Sequence, residues 1–295
     1  MHKWKVIVDS SSEAIDLTSL KKRVKPGVDL TFGYLSYGFT IDDDFYTDED
    51  AFMDPDYDLD AIMHRIERAK EITTGVNAPG VVMETMEGAE NVIFIALSSA
   101  LSSGFQTAKT GMNLLLEEYP DVNVHVFDSR SVSGQERLLA YKAIDLINEG
   151  LNFDQVVEEL NAYHASTYIL FNQSRINRLI ATGRIDVKTP KGIGFFHKRG
   201  LVRADMDGIF YLDDTVRGTH HSARKTLDYM EKNGYQGGRV ILTNVLNDRL
   251  TRILKYKILR KYPQAELEVH PALPTMSIYY ERGAVNVAFE GQPRS

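Results

Sequence analysis

Three short β-branched runs in the first half of the chain each end on small hydroxyl or acidic residues. Trp4 to Val8 (WKVIV) closes on Asp9-Ser10-Ser11-Ser12, Val92 to Leu97 (VIFIAL) on Ser98-Ser99, and Val122 to Phe127 (VNVHVF) on Asp128-Ser129. Runs of this length and branching, bounded by turn residues, read as buried strands. Helical periods lie between and after them. Phe105, Ala108, Met112, Leu115, Leu116 and Tyr119 share one face, as do Leu138, Leu139, Ala143 and Leu146 with the stem of Lys142. Strands alternating with helices give βαβ units and a mostly parallel sheet. Ligands of such sheets sit beyond the carboxyl ends of the strands, so these three polar turns are the first places to look for chemistry.

The second half has another rhythm. Ser166 to Phe171 reads as a strand and Ser174 to Ala181 as a helix ended near Gly183. Leu201 to Met206 and Ile209 to Leu212 flank Asp207-Gly208, a strong hairpin signal. A helix over Gly218 to Asn233, a strand over Arg239 to Thr243, a helix over Arg249 to Tyr262, and strands over Leu267 to His270 and Ala284 to Phe289 complete the chain. Hairpins mixed with helices indicate an α/β unit with a substantially antiparallel sheet. At 295 residues, two domains are expected, a parallel α/β domain over 1–160 and a mixed α/β domain over 161–295.

Composition narrows the function classes. The net charge of −7 argues against nucleic acid as the main partner, without excluding local basic patches. The chain has no cysteine, so disulfides and thiolate metal sites are excluded, and a reducing compartment such as the cytoplasm fits. MHKWKVIVDSSS enters a strand pattern at once and lacks the regions of a signal peptide. No run approaches the roughly 18 apolar residues of a membrane span, so stable insertion is not expected.

The densest polar stretch is SSALSSGFQTA, Ser98 to Ala108. Ser103 and Gln106 have capping-box spacing, which assigns Ser102 and Ser103 to the turn and the helix start and leaves Ser98 and Ser99 to face a ligand. A nucleophile elbow needs glycines around its serine, and Leu97 to Leu101 has none. His125 and His164 are the candidate bases for a hydrolase reading, and nothing in the sequence brings them to a serine. A Walker loop is absent. The acidic segment Ile41 to Asp60 lacks the glycine and terminal glutamate of a calcium loop, and reads as a solvated loop followed by a helix. His220 and His221 are adjacent, so on a helix they point about 100° apart and read as a surface pair. Thr73-Thr74-Gly75 is a further hydroxyl-bearing loop, placed after a helix ending near Ile72.

Taken together, these motifs resemble the DegV family of bacterial fatty-acid-binding proteins, which includes the acyl-carrier subunits of fatty acid kinase. Val8-Asp9-Ser10 is similar to the family's opening T-D-S, Thr74 to Pro79 (TGVNAP) to T-S-Q-P-S-P, and Ser98 to Ala108 to S-S-x-L-S-G-T-Y-x-S-A. Phe127 to Ser129 with Ser133-Gly134 looks like D-S-x-x-x-S-x-G, and Leu179 to Ile185 (LIATGRI) looks like L-x-x-G-G-R-I. Val216-Arg217-Gly218 matches V-R-G/T, and Pro274 to Phe289 is similar to H-T-G-P-G-A-L-G-I-A-F, with Tyr279 where the family has histidine.

The resemblance implies a two-domain DegV-like α/β fold with a long-chain fatty acid held between the domains, and no cofactor or metal. Carried over by position, Thr74 and Ser99 donate to the carboxylate beside the Ala100 N–H, with Ser98 and Tyr279 at the same site. Arg217 corresponds to the residue that engages the ATP-binding subunit of a fatty acid kinase. The implied role is a non-enzymatic carrier that presents a carboxylate for acyl-phosphate formation. The alternative is a serine hydrolase or phosphoryl-transfer enzyme acting on a small anion.

Overall fold

The structure is a computed structural model that describes residues 2–13, 17–53, 57–186 and 198–294. In the first half the strands are β1 (Trp4–Asp9), β2 (Leu30–Leu35), β3 (Gly38–Ile41), β4 (Asp44–Thr47), β5 (Ile72–Gly75), β6 (Asn91–Ala96) and β7 (Asn123–Asp128). Four of them form a parallel sheet in the order β2-β1-β6-β7, with Val6 level with Phe32 and Ile93. Every residue of β6 is buried, as expected of a parallel strand covered on both faces. Helices Pro79–Met86 and Gly104–Glu118 cover one face, packing Val82, Met86, Ala108 and Leu115 on Ile7, Phe94 and Val126. β3 pairs antiparallel with β4 and β5 in a small second sheet.

The second half builds a seven-stranded sheet from β8 (Thr167–Gln173), β9 (Ile185–Asp186), β10 (Lys198–Ala204), β11 (Phe210–Arg217), β12 (Arg239–Asn244), β13 (Glu266–Pro271) and β14 (Val285–Glu290). Its order is β13-β12-β14-β8-β10-β11-β9, antiparallel except for the β12–β13 and β11–β9 pairs. Alternation along each strand sorts the two faces. Tyr168, Val240, Leu242, Val287 and Phe289 point to an outer layer, where helices Thr219–Lys232 and Asp248–Lys261 bury Met230, Leu250, Leu254 and Ile258 on them. Ile169, Phe171, Ile241 and Ala288 point the other way, into a core shared with Val6, Val8, Ile93 and Ile95 of the first sheet.

Helix Gly134–Asn148 lies in that shared core and is buried on nearly all sides, because both sheets pack on it. Its first residue has to be small. A Cβ on Gly134 would sit 2.9 Å from Ala288 Cβ and from Ile241 Cγ2.

Several expectations are corrected at this level. The acidic segment from Ile41 is not a solvated loop, because β4 and helix Asp48–Met53 lie in it and Asp48 is fully buried. Residues 54–56 of that segment lie outside the described residues. Thr73 to Gly75 belong to strand β5 rather than a loop, and the preceding helix ends at Arg68. Ser103 occupies the N-cap of its helix with helical dihedrals and makes no capping hydrogen bond. Ser102 Oγ instead accepts from the Gly104 N–H at 3.1 Å. The helix expected from Ser174 begins at Asn177.

Candidate functional site

A cavity of about 320 Å³ lies beyond the carboxyl ends of β1 and β6, between the parallel sheet and helix Pro274–Tyr280. Much of its wall is apolar: Val76, Leu97, Leu101 and Val132 from the first half, Leu179, Phe210 and Met276 from the second. Its size and lining suit a ligand with an apolar body and few polar atoms.

The polar groups gather at one contact between the halves. Thr74 Oγ1 on β5 lies 2.7 Å from Tyr279 Oη on helix Pro274–Tyr280. The Arg184 guanidinium stacks over the Tyr279 ring, 4.7 Å from its centroid. Arg184 Nε donates to the Leu101 carbonyl at 3.0 Å, and its terminal nitrogens have no acceptor among the described residues. Two hydroxyls and an always-charged guanidinium thus share one wall of an apolar chamber, an arrangement suited to a carboxylate.

Buried carboxylates support this wall from behind. Asp9, at the end of β1, accepts from Tyr37 Oη at 2.8 Å and from the Leu97 N–H at 3.0 Å, which ties the end of β6 and a cavity-lining tyrosine to one group. Burial pushes the Asp9 carboxyl above its ordinary range. Asp48 Oδ1 accepts the Thr275 N–H at 2.9 Å, so an acid from the first half satisfies an orphan donor at the start of the helix that carries Tyr279. Burial raises Asp48 to about 6, although the bonds from Thr275 work against it. Glu136 takes hydrogen bonds from Ser11 Oγ at 2.5 Å and Ser129 Oγ at 3.3 Å, and burial raises its carboxyl too.

The structure brings together Thr74 and Tyr279 of the sequence-predicted residues. Ser98 is fully buried, donates its hydroxyl to the Gly208 carbonyl at 3.3 Å, and accepts the Ala100 N–H at 3.3 Å. Ser99 Oγ donates to Asp128 Oδ2 at 2.6 Å while its N–H donates to Oδ1 at 3.1 Å. The cavity is lined by their neighbours Leu97, Leu101, Ser102 and Ser103, and not by Ser98, Ser99 or Ala100 themselves. Arg217 is exposed at the far end of β11 from Phe210, about 23 Å along the strand. Sequence reasoning did not single out Arg184, although it lies inside the LIATGRI motif, just past the Gly183 turn at φ +67°.

The hairpin Asp207-Gly208 reaches across to the first half. Gly208, at φ +80°, lies against Ser98 and Arg130, and Arg130 Nη1 donates to the Met206 carbonyl at 3.1 Å. The two candidate histidine bases are placed elsewhere. His164 Nε2 lies 2.8 Å from the Ser129 carbonyl, and burial lowers its pKa to about 4. His125 packs edge-on against Phe127. Among the described residues neither serine hydroxyl meets an imidazole, and no group of three or more acidic or histidine side chains is placed to hold a metal. Among the described residues no helix is long and apolar enough to cross a membrane.

Comparison with known proteins gives a consistent picture. Residues 3–292 match a family model described as "Uncharacterised protein, DegV family". A DegV domain-containing protein of Streptococcus pneumoniae is 29% identical over 287 residues, covering 97% of this chain and 99% of that protein. The crystal structure of the Streptococcus pneumoniae fatty acid kinase B3 protein, loaded with linoleic acid, superposes with a TM-score of 0.86 at 28% identity. It covers 98% of this chain and 100% of that one. A DegV family protein from Eubacterium eligens loaded with heptadecanoic acid has the same fold, with a TM-score of 0.85 at 20% identity, covering 98% and 100% of the two chains.

Proposed function

The chain belongs to the DegV family, and from that premise we propose that it is a non-enzymatic carrier holding a long-chain fatty acid in the cavity between its two halves. The observation that carries this reading is the Thr74–Tyr279 hydroxyl pair beside Arg184, on the wall of an otherwise apolar chamber. The carboxylate accepts from both hydroxyls and faces the guanidinium, while the acyl chain runs along Leu101, Leu179, Phe210 and Met276. The domains 1–160 and 161–295 each contribute to that enclosure. The linoleic acid in the Streptococcus pneumoniae protein supports the ligand class.

Magnitudes agree with a division of labour. Burying a long acyl chain makes on the order of 10 kcal/mol available, at roughly 0.8 kcal/mol per methylene, before the costs of binding. A hydrogen bond to the carboxylate adds about 1.5–3 kcal/mol at best. The tail sets affinity and the polar wall sets direction. In this reading the turn of Ser98, Ser99 and Ala100 frames the head-group end. Ser99 reaches the carboxylate itself only by giving up Asp128, since a hydroxyl has one proton to donate.

The kinase assignment of the pneumococcal relative supports presentation of the carboxylate to the ATP-binding subunit of a fatty acid kinase, with Arg217 on the exposed side available to that partner. A chain without cysteine suits the cytoplasm, where such a partner works. The test is organic extraction of the purified protein followed by mass spectrometry. A fatty acid present in stoichiometric amount is expected. Protein that is consistently empty and also rejects added fatty acids refutes the reading.

A further inference from the structure

A second cleft, of about 450 Å³, opens on the outer side of the second half, where helix Thr219–Lys232 ends beside β10 and the last described residues of the chain. Three cations converge on it: Arg203, Lys232 and Arg294. Arg203 is neutralised by an ion pair with Asp213. The lining acid, Asp205, is turned into its own hairpin, where Oδ1 accepts the N–H groups of Asp207 and Ile209, each at 2.9 Å. Arg294 and Lys232 therefore have no carboxylate partner among the described residues.

The two guanidiniums are held in place by tyrosines. Arg203 lies between the rings of Tyr211 and Tyr229, 5.2 and 5.1 Å from their centroids. Arg294 stacks on Tyr168 at 4.7 Å and donates through Nη2 to the Thr167 carbonyl at 2.7 Å. The Nε–H of each is buried without an acceptor among the described residues. Planar, fixed guanidinium forks lose little freedom on meeting a tetrahedral oxyanion, which is why arginine recurs at phosphate sites. Lys232 adds a mobile point charge in the last turn of its helix.

We propose that this cleft binds the phosphoryl group of a small phosphomonoester, with Arg294 and Lys232 as its principal counter-charges. Two cations without a carboxylate partner among the described residues, one of them held by the Thr167 carbonyl and Met206 Sδ, match a phosphate dianion better than a single carboxylate. The site is separate from the lipid cavity, since the two share no lining residue.

Isothermal titration of the purified chain with inorganic phosphate, AMP and a short-chain phosphatidate tests it. Saturable binding at one site is expected, with the probes competing. AMP tighter than phosphatidate identifies a soluble ester, and the reverse order a lipid head group. Arg294→Gln and Lys232→Gln should each weaken binding about tenfold or more, while Lys70→Gln, an exposed cation outside the cleft, leaves it unchanged. Unchanged unfolding midpoints show that the variants are folded. The proposal is overturned by an absence of saturable binding up to about 10 mM, or by binding that both cleft variants leave intact. Equal weakening in Lys70→Gln also overturns it, because that reports general charge attraction.

Discussion

Tyr279→Phe is the sharpest perturbation of the proposed head-group site, because it deletes one donor and leaves the ring under Arg184 in place. A bond from Tyr279 Oη to a carboxylate is worth about 1.5–3 kcal/mol, and the neutral bond to Thr74 at 2.7 Å in the free protein about 1 kcal/mol. The variant loses both, so binding should weaken by the difference, about 0.5–2 kcal/mol, or roughly 2- to 30-fold in Kd. Displacement of a fluorescent fatty acid at fixed pH and salt measures this. The same acid as its methyl ester is the control, since it keeps the tail and removes the charge. The ester should lose much less than the acid. Thr74→Val should behave like Tyr279→Phe, and the double variant should fall short of the sum, because the two hydroxyls share one acceptor. Equal losses for acid and ester, or no loss for either, would mean that the carboxylate lies elsewhere.

Gly208→Ala should cost about 2–4 kcal/mol in urea unfolding, from the φ of +80° and a Cβ placed 2.8 Å from Arg130 Cα and from its carbonyl. A loss below about 0.5 kcal/mol would show that the hairpin does not press on the serine turn. Burial raises Glu13 from its ordinary 4.5 to about 8, so between those values the folded state holds a proton that the unfolded state has released. Stability therefore falls as pH rises through that window. His164 opposes this only below its ordinary 6.5, so Glu13→Gln should flatten the decline in melting temperature from pH 6.5 to 8, and an unchanged slope would contradict the assignment. Residues 217–261 carry eleven lysines and arginines against three acids, which leaves a net −15 on the rest of a chain whose total is −7. The protein should be retained on both anion and cation exchangers at neutral pH and low salt, and flow-through of the parent on the cation exchanger would refute a concentrated basic face. Arg252→Glu with Lys255→Glu should release it from the cation exchanger alone.

What the sequence made legible follows how local each signal is. β1, β6 and β7 could be read because their β-branched runs end abruptly on polar turns, and the hairpin because Asp207-Gly208 has a left-handed glycine. β2 carries no such signal. Gly33 interrupts its pattern because the backbone passes close to Ile7, where a Cβ would lie 3.0 Å from Ile7 Cγ1. The three-stranded sheet is hidden in the sequence because Asp42 to Asp44 resembles a solvated acidic loop. In fact Asp42 Oδ1 accepts the N–H groups of Lys70 and Glu71 at 2.9 and 3.1 Å. Asp48 looks like an ordinary acid in a helix's first turn, and only its bond to Thr275, far along the chain, explains its burial. Ser103 and Gln106 have the right spacing for a cap, but Ser103 takes helical rather than extended dihedrals and its side chain makes no capping bond. The candidate site shows the same limit. Nothing local joins Thr74 and Tyr279, so only family motifs point to the pair, and the motif that holds Arg184 reads locally as a helix stop.

Arg184 also resolves the electrostatics left open by Tyr279. A histidine in that place would bring a charge that titrates near neutrality, whereas a tyrosine brings none. The guanidinium stacked on the Tyr279 ring supplies the positive charge there instead. The hydroxyls it accompanies come from opposite halves, Thr74 from β5 and Tyr279 from the helix that Asp48 anchors. Because they already meet at 2.7 Å, a carboxylate entering between them exchanges one bond for two and needs little rearrangement of the protein. The same contact that closes the halves against each other is therefore the contact a fatty acid would complete. In the proposed carrier, a site with so few polar groups would fix the ligand's direction in this way while the acyl chain supplied the affinity.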